Sequence, residues 1–241
     1  MLIFVLAFTK PKIVFLDDDP SLLETLLYYF KEEFKDTVLI NGFSQSQQFL
    51  KYVQNSCYLT DTFSEIISHF YNQKPDQKHV CKTLHDLSEL CGIIVLDQEL
   101  RAEKTNGIEL SAKIREYIPN TYIALLTSNI TNNQAIALHN NHNIDLFIDK
   151  KDDDAIVKLH GYLSHQIHRL INEYTTDSMD YFSDVSVLES KDYLLAKDNL
   201  LNNFKPQTFL TVNAQGDIAL LTDHVSYWQF NSKLNDFIKY E

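Results

Sequence analysis

Acidic side chains follow directly after two of the most apolar runs in the 241-residue sequence. Asp17 and Asp18 come after Lys12–Leu16, and Asp97 comes after Gly92–Leu96. Mg²⁺ is a hard cation that takes carboxylate oxygens and keeps several waters. The sequence therefore predicts a magnesium site in which Asp18 and Asp97 are direct ligands, while Asp17 lies close by or acts through water. Asp97 stands alone at the end of its run, so we expect it to be the nucleophile in an in-line attack on phosphorus.

A hydroxyl and a lysine follow two further apolar runs and complete a set of groups suited to phosphoryl transfer. Thr127 comes after Tyr122–Leu126, and Lys150 comes shortly after Asp145–Ile148. A lysine ammonium neutralises a phosphoryl oxygen as a compact charge, and a hydroxyl donates a hydrogen bond to another oxygen. With the metal, these groups would cover the charge that spreads over the transferred oxygens.

These apolar runs alternate with helical patterns, which predicts an α/β fold. Strands are predicted at 12–16, 37–40, 92–96, 122–126 and 145–148, and helical spacing covers about 20–30, 44–53, 108–118, 136–138 and 152–174. Alternating strands and helices form right-handed crossovers and a doubly wound sheet with helices on both faces. Functional groups in such sheets lie beyond the carboxyl ends of the strands. We therefore expect a five-stranded parallel sheet with all of the reactive groups at one edge.

Four segments carry a family resemblance: KIVFLDDDPSLLETL, GIIVLDQEL, NGIELSAKIREYIPNTYIALLTS and FIDK resemble, in this order, the receiver domain of two-component response regulators. The resemblance covers about residues 12–172 and implies a flavodoxin-like fold. It also implies Mg²⁺, a histidine kinase or phosphotransfer protein as phosphoryl donor, and dimerisation through the fourth and fifth helices. Carried over position by position, it implies an acidic pair at Asp17 and Asp18, a phosphoacceptor at Asp97, a backbone-carbonyl metal ligand at Glu99, a switch hydroxyl at Thr127, an aromatic switch at Phe147 and a conjugate lysine at Lys150.

Four features depart from the family pattern. Arg101 and Lys151 stand where the family usually has prolines, and the segments Asn55–Leu90 and Leu2–Phe8 have no counterpart in the compact receiver. None of these departures removes a reacting group. The domain prediction is therefore a receiver at 1–172 with a helical insertion at about 55–90.

The remaining residues, 173–241, are expected to form a small α+β domain or extension of unknown type. Apolar residues from Leu194 to Phe204 indicate a helix. Thr208–Val212 and Ile218–Thr222 indicate a hairpin around Gly216. No output family is recognised in this segment.

The charge of the chain argues against a nucleic-acid or membrane partner. The formal net charge is -12, and from Tyr174 onward five lysines and no arginine stand against ten acidic residues. Nucleic acid and anionic lipid surfaces are polyanions, so we expect signalling through protein contacts. The Leu2–Phe8 run is too short for a secretory signal, and three cysteines without a CxxC pair fit a reducing cytoplasm.

Two other functions stay open at this stage. A pseudo-receiver would keep the fold and bind partners without phosphorylation. A haloacid-dehalogenase-like phosphatase would use Asp17 as nucleophile and Asp19 as acid, because FLDDDPS also fits that family's opening motif. Its later motifs count against it, since only about 22 residues separate Thr127 from Asp149, and Asp97 would have no role.

Overall fold

The computed structural model describes residues 5–56, 63–72, 76–100, 105–128, 143–176, 181–182 and 184–240. In chain order its strands are β1 (Ala7–Thr9), β2 (Lys12–Leu16), β3 (Leu39–Phe43), β4 (Ile93–Asp97), β5 (Tyr122–Thr127), β6 (Leu146–Asp149), β7 (Thr175–Thr176), β8 (Thr208–Thr211), β9 (Ile218–Leu221), β10 (Val225–Asn231) and β11 (Asp236–Tyr240). Its α-helices are α1 (Pro20–Phe34), α2 (Ser46–Ser56), α3 (Phe63–Tyr71), α4 (Gln77–Ser88), α5 (Gly107–Tyr117), α6 (Ala155–Glu173) and α7 (Lys191–Phe204).

The chain divides into two compact units, each built on its own sheet. The parallel-sheet unit contains Pro11–Thr60 and Leu90–Leu170, and the antiparallel-sheet unit contains Met1–Lys10, Asp61–Glu89 and Ile171–Glu241. The chain therefore passes from one unit to the other four times. No described helix combines the length and the apolar character that a membrane span requires.

The parallel-sheet unit has the strand order β3-β2-β4-β5-β6, with every neighbouring pair parallel. This is the flavodoxin-like order, and it confirms the predicted doubly wound five-stranded sheet. Every residue of β2 and β4 is buried, as expected for central strands that carry helices on both faces.

Successive residues of β2 point to opposite faces of the sheet and contact different helices. Leu16 belongs to a buried cluster that also contains Phe49 of α2 and Leu110 of α5. Phe15 points the other way and stacks on Phe30 of α1, with 5.6 Å between ring centroids. The alternation along one strand thus anchors helices on both sides of the sheet.

Several element boundaries differ from the prediction. The second predicted strand is β3, which begins at Leu39 rather than Thr37 because residues 35–37 form a 3₁₀ turn. Helix α6 begins at Ala155, after three aspartates that were expected inside it. The helical stretch at 136–138 and Arg101 lie outside the described residues.

The second half of helix α6 is buried on its apolar side. Ile167 and Leu170, together with Tyr174 just after the helix, are at most 9% exposed. The exposed apolar residues of this helix lie at its start, where Ile156 is 42% and Val157 71% exposed.

The antiparallel-sheet unit contains six strands in the order β11-β10-β9-β8-β1-β7. The predicted hairpin is confirmed by the antiparallel pairing of β8 with β9, and the predicted helix is α7. The core of this unit places Tyr193 and Leu200 of α7 against Phe230 and Phe237 of the last two strands. Strands β10 and β11 were not predicted.

The two units do not follow the predicted boundaries of 1–172 and 173–241. The N-terminal strand β1 lies between β8 and β7, with Phe8 opposite Phe209. Helix α4, from the insertion, packs on β8 and β9, and Tyr71 of α3 donates a hydrogen bond to the Thr211 carbonyl at 2.7 Å. Residues 1–10 and most of the insertion, 61–89, therefore belong to the same unit as the C-terminal strands.

Candidate functional site

The loop between β2 and α1 holds two adjacent carboxylates in place. The Asp17 backbone N–H donates to the Phe43 carbonyl at 3.2 Å, and Asp17 Oδ1 accepts from the Asp19 N–H at 3.0 Å. Asp19 in turn caps α1 by accepting from the Ser21 N–H at 2.9 Å. Asp17 is thereby buried at the sheet edge, while Asp18 beside it is half-buried.

Asp97 is the last residue of the central strand β4 and is 6% exposed. The next residue continues the backbone pairing, since the Gln98 N–H donates to the Leu126 carbonyl at 2.9 Å. The Gly107 N–H donates to the Gln98 carbonyl at 3.1 Å, and a Cβ at Gly107 would clash with the Asp97 carbonyl oxygen. The start of α5 can thus lie against Asp97 only because residue 107 is glycine.

The ammonium of Lys150 contacts two carboxylates, one just after β2 and one at the end of β4. Its Nζ lies 2.8 Å from Oδ2 of Asp17 and 2.9 Å from Oδ1 of Asp97. The lysine follows β6, and its backbone N–H donates to the Thr127 carbonyl at 2.7 Å. Groups at the ends of β2, β4 and β6 therefore meet at one ammonium group.

Burial and charge act in opposite directions on these groups. Burial raises the pKa of Asp97 and outweighs the hydrogen bond from Lys150, while the nearby Asp17 charge raises it further. Burial alone would lower the pKa of Lys150, yet its hydrogen bonds to both aspartates raise that pKa overall. Lys150 is therefore fully protonated near neutral pH and compensates buried negative charge.

The carboxylates form a donor set that fits a divalent cation. Asp17, Asp18 and Asp97 each offer an oxygen, and these atoms lie within 4.8 Å of one another. Hard cations such as Mg²⁺ and Ca²⁺ prefer oxygen donors of this kind. The set opens into a cavity of about 370 Å³ whose lining comprises Asp17, Asp18, Asp19, Leu22, Asp97, Glu99, Ser128 and Lys150.

The structure brings most of the residues predicted for the site to this one cavity. Asp17, Asp18, Asp97, Glu99 and Lys150 line it together. The Thr127 side chain is fully buried at the end of β5, and the next residue, Ser128, lines the cavity. Phe147 packs half-buried against the core of the parallel-sheet unit.

Sequence reasoning missed the part that Gly107 plays in the site. The Asn106-Gly107 pair lies where a loop is expected to end, and the pattern alone assigns it no further role. A signal is nevertheless present, because Asn106 caps α5 by accepting from the Glu109 N–H at 2.9 Å. A glycine directly after a capping residue offers little to the helix itself, which favours a role in close packing.

Comparison with known proteins finds similarity in structure and not in sequence. No protein-family model matches the chain, and no curated protein matches it. The similar solved structures are mostly receiver domains of response regulators.

Three of these structures illustrate the extent of the similarity. The response regulator LqsR of Legionella pneumophila is 17% identical, with 96% of this chain and 69% of that chain covered and a TM-score of 0.46. A CheY-like receiver domain protein of Methanospirillum hungatei is 15% identical, with 67% and 99% covered and a TM-score of 0.44. A Burkholderia pseudomallei response regulator with a phosphorylated aspartic acid, calcium ion and citrate is 13% identical, with 68% and 72% covered and a TM-score of 0.43.

At these identities and scores the similarity assigns no roles to residues, and the strand order itself defines the fold. The chain is thus a flavodoxin-like α/β protein whose structural neighbours are mostly receiver domains, with an additional antiparallel sheet.

Proposed function

We propose that the parallel-sheet unit is a response-regulator receiver that accepts a phosphoryl group on Asp97 from a histidine kinase or phosphotransfer protein. The observation that carries the proposal is the position of Lys150, whose Nζ hydrogen-bonds to both Asp17 and Asp97. A lysine between two carboxylates at the carboxyl edge of a parallel sheet can pair with a phosphoryl oxygen once the group is attached.

The transfer would use the side chains as follows. A carboxylate oxygen of Asp97 attacks phosphorus, the new O–P bond forms, and the bond from phosphorus to the donor imidazole nitrogen breaks. Lys150 exchanges one carboxylate partner for a phosphoryl oxygen and neutralises its charge. The hydroxyl of Thr127, or that of Ser128 in the cavity wall, donates to a second oxygen.

Mg²⁺ would be held by the carboxylates of Asp17, Asp18 and Asp97 and by the backbone carbonyl of Glu99. Bound there, it would offset the negative charge shared by the aspartates and the phosphoryl oxygens. Hydrogen bonds to Phe43 and Asp19 fix the backbone and the side chain of Asp17, so this carboxylate would be in position before a cation binds.

We further propose that the output is a protein contact and not DNA binding, because the C-terminal segment is acidic. Self-association through the helix corresponding to the family's fifth, α6, would use its exposed apolar start at Ile156 and Val157. A cytoplasmic location fits this assignment.

The proposal is tested by incubating the full chain with acetyl phosphate and Mg²⁺ and measuring the mass gain of one phosphoryl group. The unaltered chain should gain one group, and Asp97→Asn should gain none. Asp17→Asn should require a higher Mg²⁺ concentration, because the variant keeps the nucleophile and loses metal-binding charge.

Asp19→Asn provides the matched control. Asparagine caps a helix as well as aspartate does, so α1 should stay intact and phosphorylation should continue. A phosphatase of the haloacid-dehalogenase type would instead lose phosphoester turnover with Asp19→Asn and keep it with Asp97→Asn. A chain that takes up no phosphoryl group and hydrolyses no phosphoester would be a pseudo-receiver, and the proposal would be wrong.

A further inference from the structure

Lys197 interrupts the buried face of α7. The neighbouring positions on that face are Tyr193, Ala196 and Leu200, and all are buried. Lys197 itself is only 1% exposed, although lysine is among the residues least often buried. A charged residue that breaks the apolar pattern of a core-facing helix is expected at sites with a function beyond packing.

The ammonium of Lys197 is held at the N-terminal end of the described chain. Its Nζ donates to the Val5 carbonyl at 3.0 Å and lies 6.0 Å from the centre of the Tyr193 ring. Burial lowers the pKa of Lys197 to about 8, and the charge of Asp198 offsets part of that effect. The protein therefore retains a cation whose charged form is disfavoured by its surroundings.

The same lysine forms part of the wall of an open cavity of about 370 Å³ in the antiparallel-sheet unit. Most of the wall is aliphatic or aromatic: Val5, Phe8, Ile171, Leu201 and Phe209. Thr175 and Asp198 also line it, and the Thr175 hydroxyl donates to the Ile171 carbonyl at 2.5 Å. A largely apolar pocket of this size with a few polar groups is typical of small-molecule binding sites.

We propose that this cavity binds an aliphatic carboxylate, with the alkyl chain against the apolar wall and the carboxylate paired with Lys197. A carboxylate accepts strong charge-assisted hydrogen bonds from an ammonium, and burial strengthens the attraction between the two charges. An alcohol offers the ammonium no opposite charge, and an alkylammonium would be repelled. Among the described residues, the site shares none with the Asp97 cavity, so it does not depend on the proposed phosphoryl transfer.

The head group can be tested on the unaltered full chain by titration calorimetry with octanoate, octanol and octylammonium. The three probes share an alkyl length and differ in charge. Octanoate should bind at least roughly tenfold more tightly than octanol, and octylammonium should bind most weakly. Equal affinity for octanoate and octanol, or no binding of octanoate, would overturn the proposal.

Two variants and one control test whether Lys197 and Asp198 cause the preference for octanoate. Lys197→Met keeps a similar chain length without charge and should reduce octanoate binding to the level of octanol. Lys191→Met, at the exposed first position of α7, is the control and should leave the preference intact. Asp198→Asn removes the anion beside Lys197 and should strengthen octanoate binding without changing octanol binding.

A preference for octanoate that survives Lys197→Met would place the anion elsewhere and contradict the assignment. Should that variant fail to fold, the probe comparison on the unaltered chain and the Asp198→Asn titration still decide. Asp97→Asn should bind octanoate like the unaltered chain, so failure of the receiver proposal and failure of this one are separable.

Discussion

The ammonium of Lys150 lies 2.9 Å from Oδ1 of Asp97, although Asp97 ends β4, Lys150 follows β6, and β5 lies between these two strands. Both side chains reach over the end of the intervening strand. The pair is mostly buried, with the Lys150 side chain 21% and the Asp97 side chain 8% exposed. The contact therefore links the ends of β4 and β6 at this edge of the sheet.

Lys150→Met should destabilise the chain when no divalent cation is present. The change leaves two buried carboxylates without their ammonium partner, which costs roughly 3 kcal/mol for a buried pair. Added Mg²⁺ should restore much of this loss by supplying positive charge to the same carboxylates. The measurement is the midpoint of thermal unfolding with and without Mg²⁺. If Mg²⁺ raises the unfolding midpoint of the variant no more than that of the unaltered chain, Lys150 and the cation do not act on the same charges.

Gly107→Ala should weaken both folding and phosphorylation. A Cβ at residue 107 meets the backbone of Asp97 and Gln98, which cannot move without displacing the end of β4. Backbone strain of this kind costs on the order of 2 kcal/mol. Urea unfolding and the acetyl phosphate assay should both report the change.

Gly161→Ala is the matched control for that substitution. Gly161 lies inside α6, and a Cβ there would meet no atom within 4 Å. Alanine should stabilise this helix by roughly 0.5–1 kcal/mol, because glycine is the poorer helix former. Equal effects of the two substitutions would mean that close packing at Gly107 is not the cause.

Lys197 should make the chain more stable as the pH rises from about 8 toward 10. Its pKa is lowered to about 8 in the folded chain, while an unfolded lysine titrates near about 10.4. In this window the unfolded chain binds more protons than the folded chain, so raising the pH favours folding by roughly 1–3 kcal/mol. Urea unfolding at a series of pH values measures the slope.

Lys197→Met should flatten that slope and stabilise the chain near pH 7, because the buried ammonium at this position is removed. Tyrosine titration acts in the opposite direction at higher pH. Burial raises the pKa of Tyr71 and Tyr193, so the unfolded chain loses those phenol protons first above about pH 10. If the free energy of unfolding of Lys197→Met still rises between pH 8 and 9.5, Lys197 is not the cause of the pH dependence.

The C-terminal residues 171–241 should not fold as a separate fragment. Strand β8 would lose its neighbour β1, and β8 and β9 would lose the cover of α4. The fragment should show little dispersion of amide signals in an NMR spectrum. A well-dispersed spectrum would mean that the strands from β8 to β11 and α7 are sufficient. Adding a peptide that spans residues 1–10 alone should not rescue the fragment, since α3 and α4 would still be missing.

The parallel sheet was predictable because its signals are local. Strands β2, β4 and β5 are continuous apolar runs, and each ends where a polar side chain enters the site. The position of the site then follows from the rule that parallel strands present their carboxyl ends at one edge. The same rule predicts that Lys150 lies with Asp17, although 133 residues separate the two in sequence.

The pairing of β1 in the antiparallel sheet escaped prediction because its partners are distant in sequence. Strand β1 has its partners in β7 and β8, and Thr9 contacts Thr208 across 199 residues. The helical spacing of α3 and α4 was recognised, but a local pattern does not reveal which sheet will cover it. Strand β10 lacks a fully buried run, since its central residues are half-exposed, so it gave no clear signal.

The interleaving of the two units has a consequence for biosynthesis. Strand β1 leaves the ribosome well before its partner β8. At about 5–20 residues per second, the 199 residues between Thr9 and Thr208 take on the order of 10–40 s to translate. All strands of the parallel sheet emerge within that interval, so the nascent chain can complete this sheet first while β1 waits for its partner.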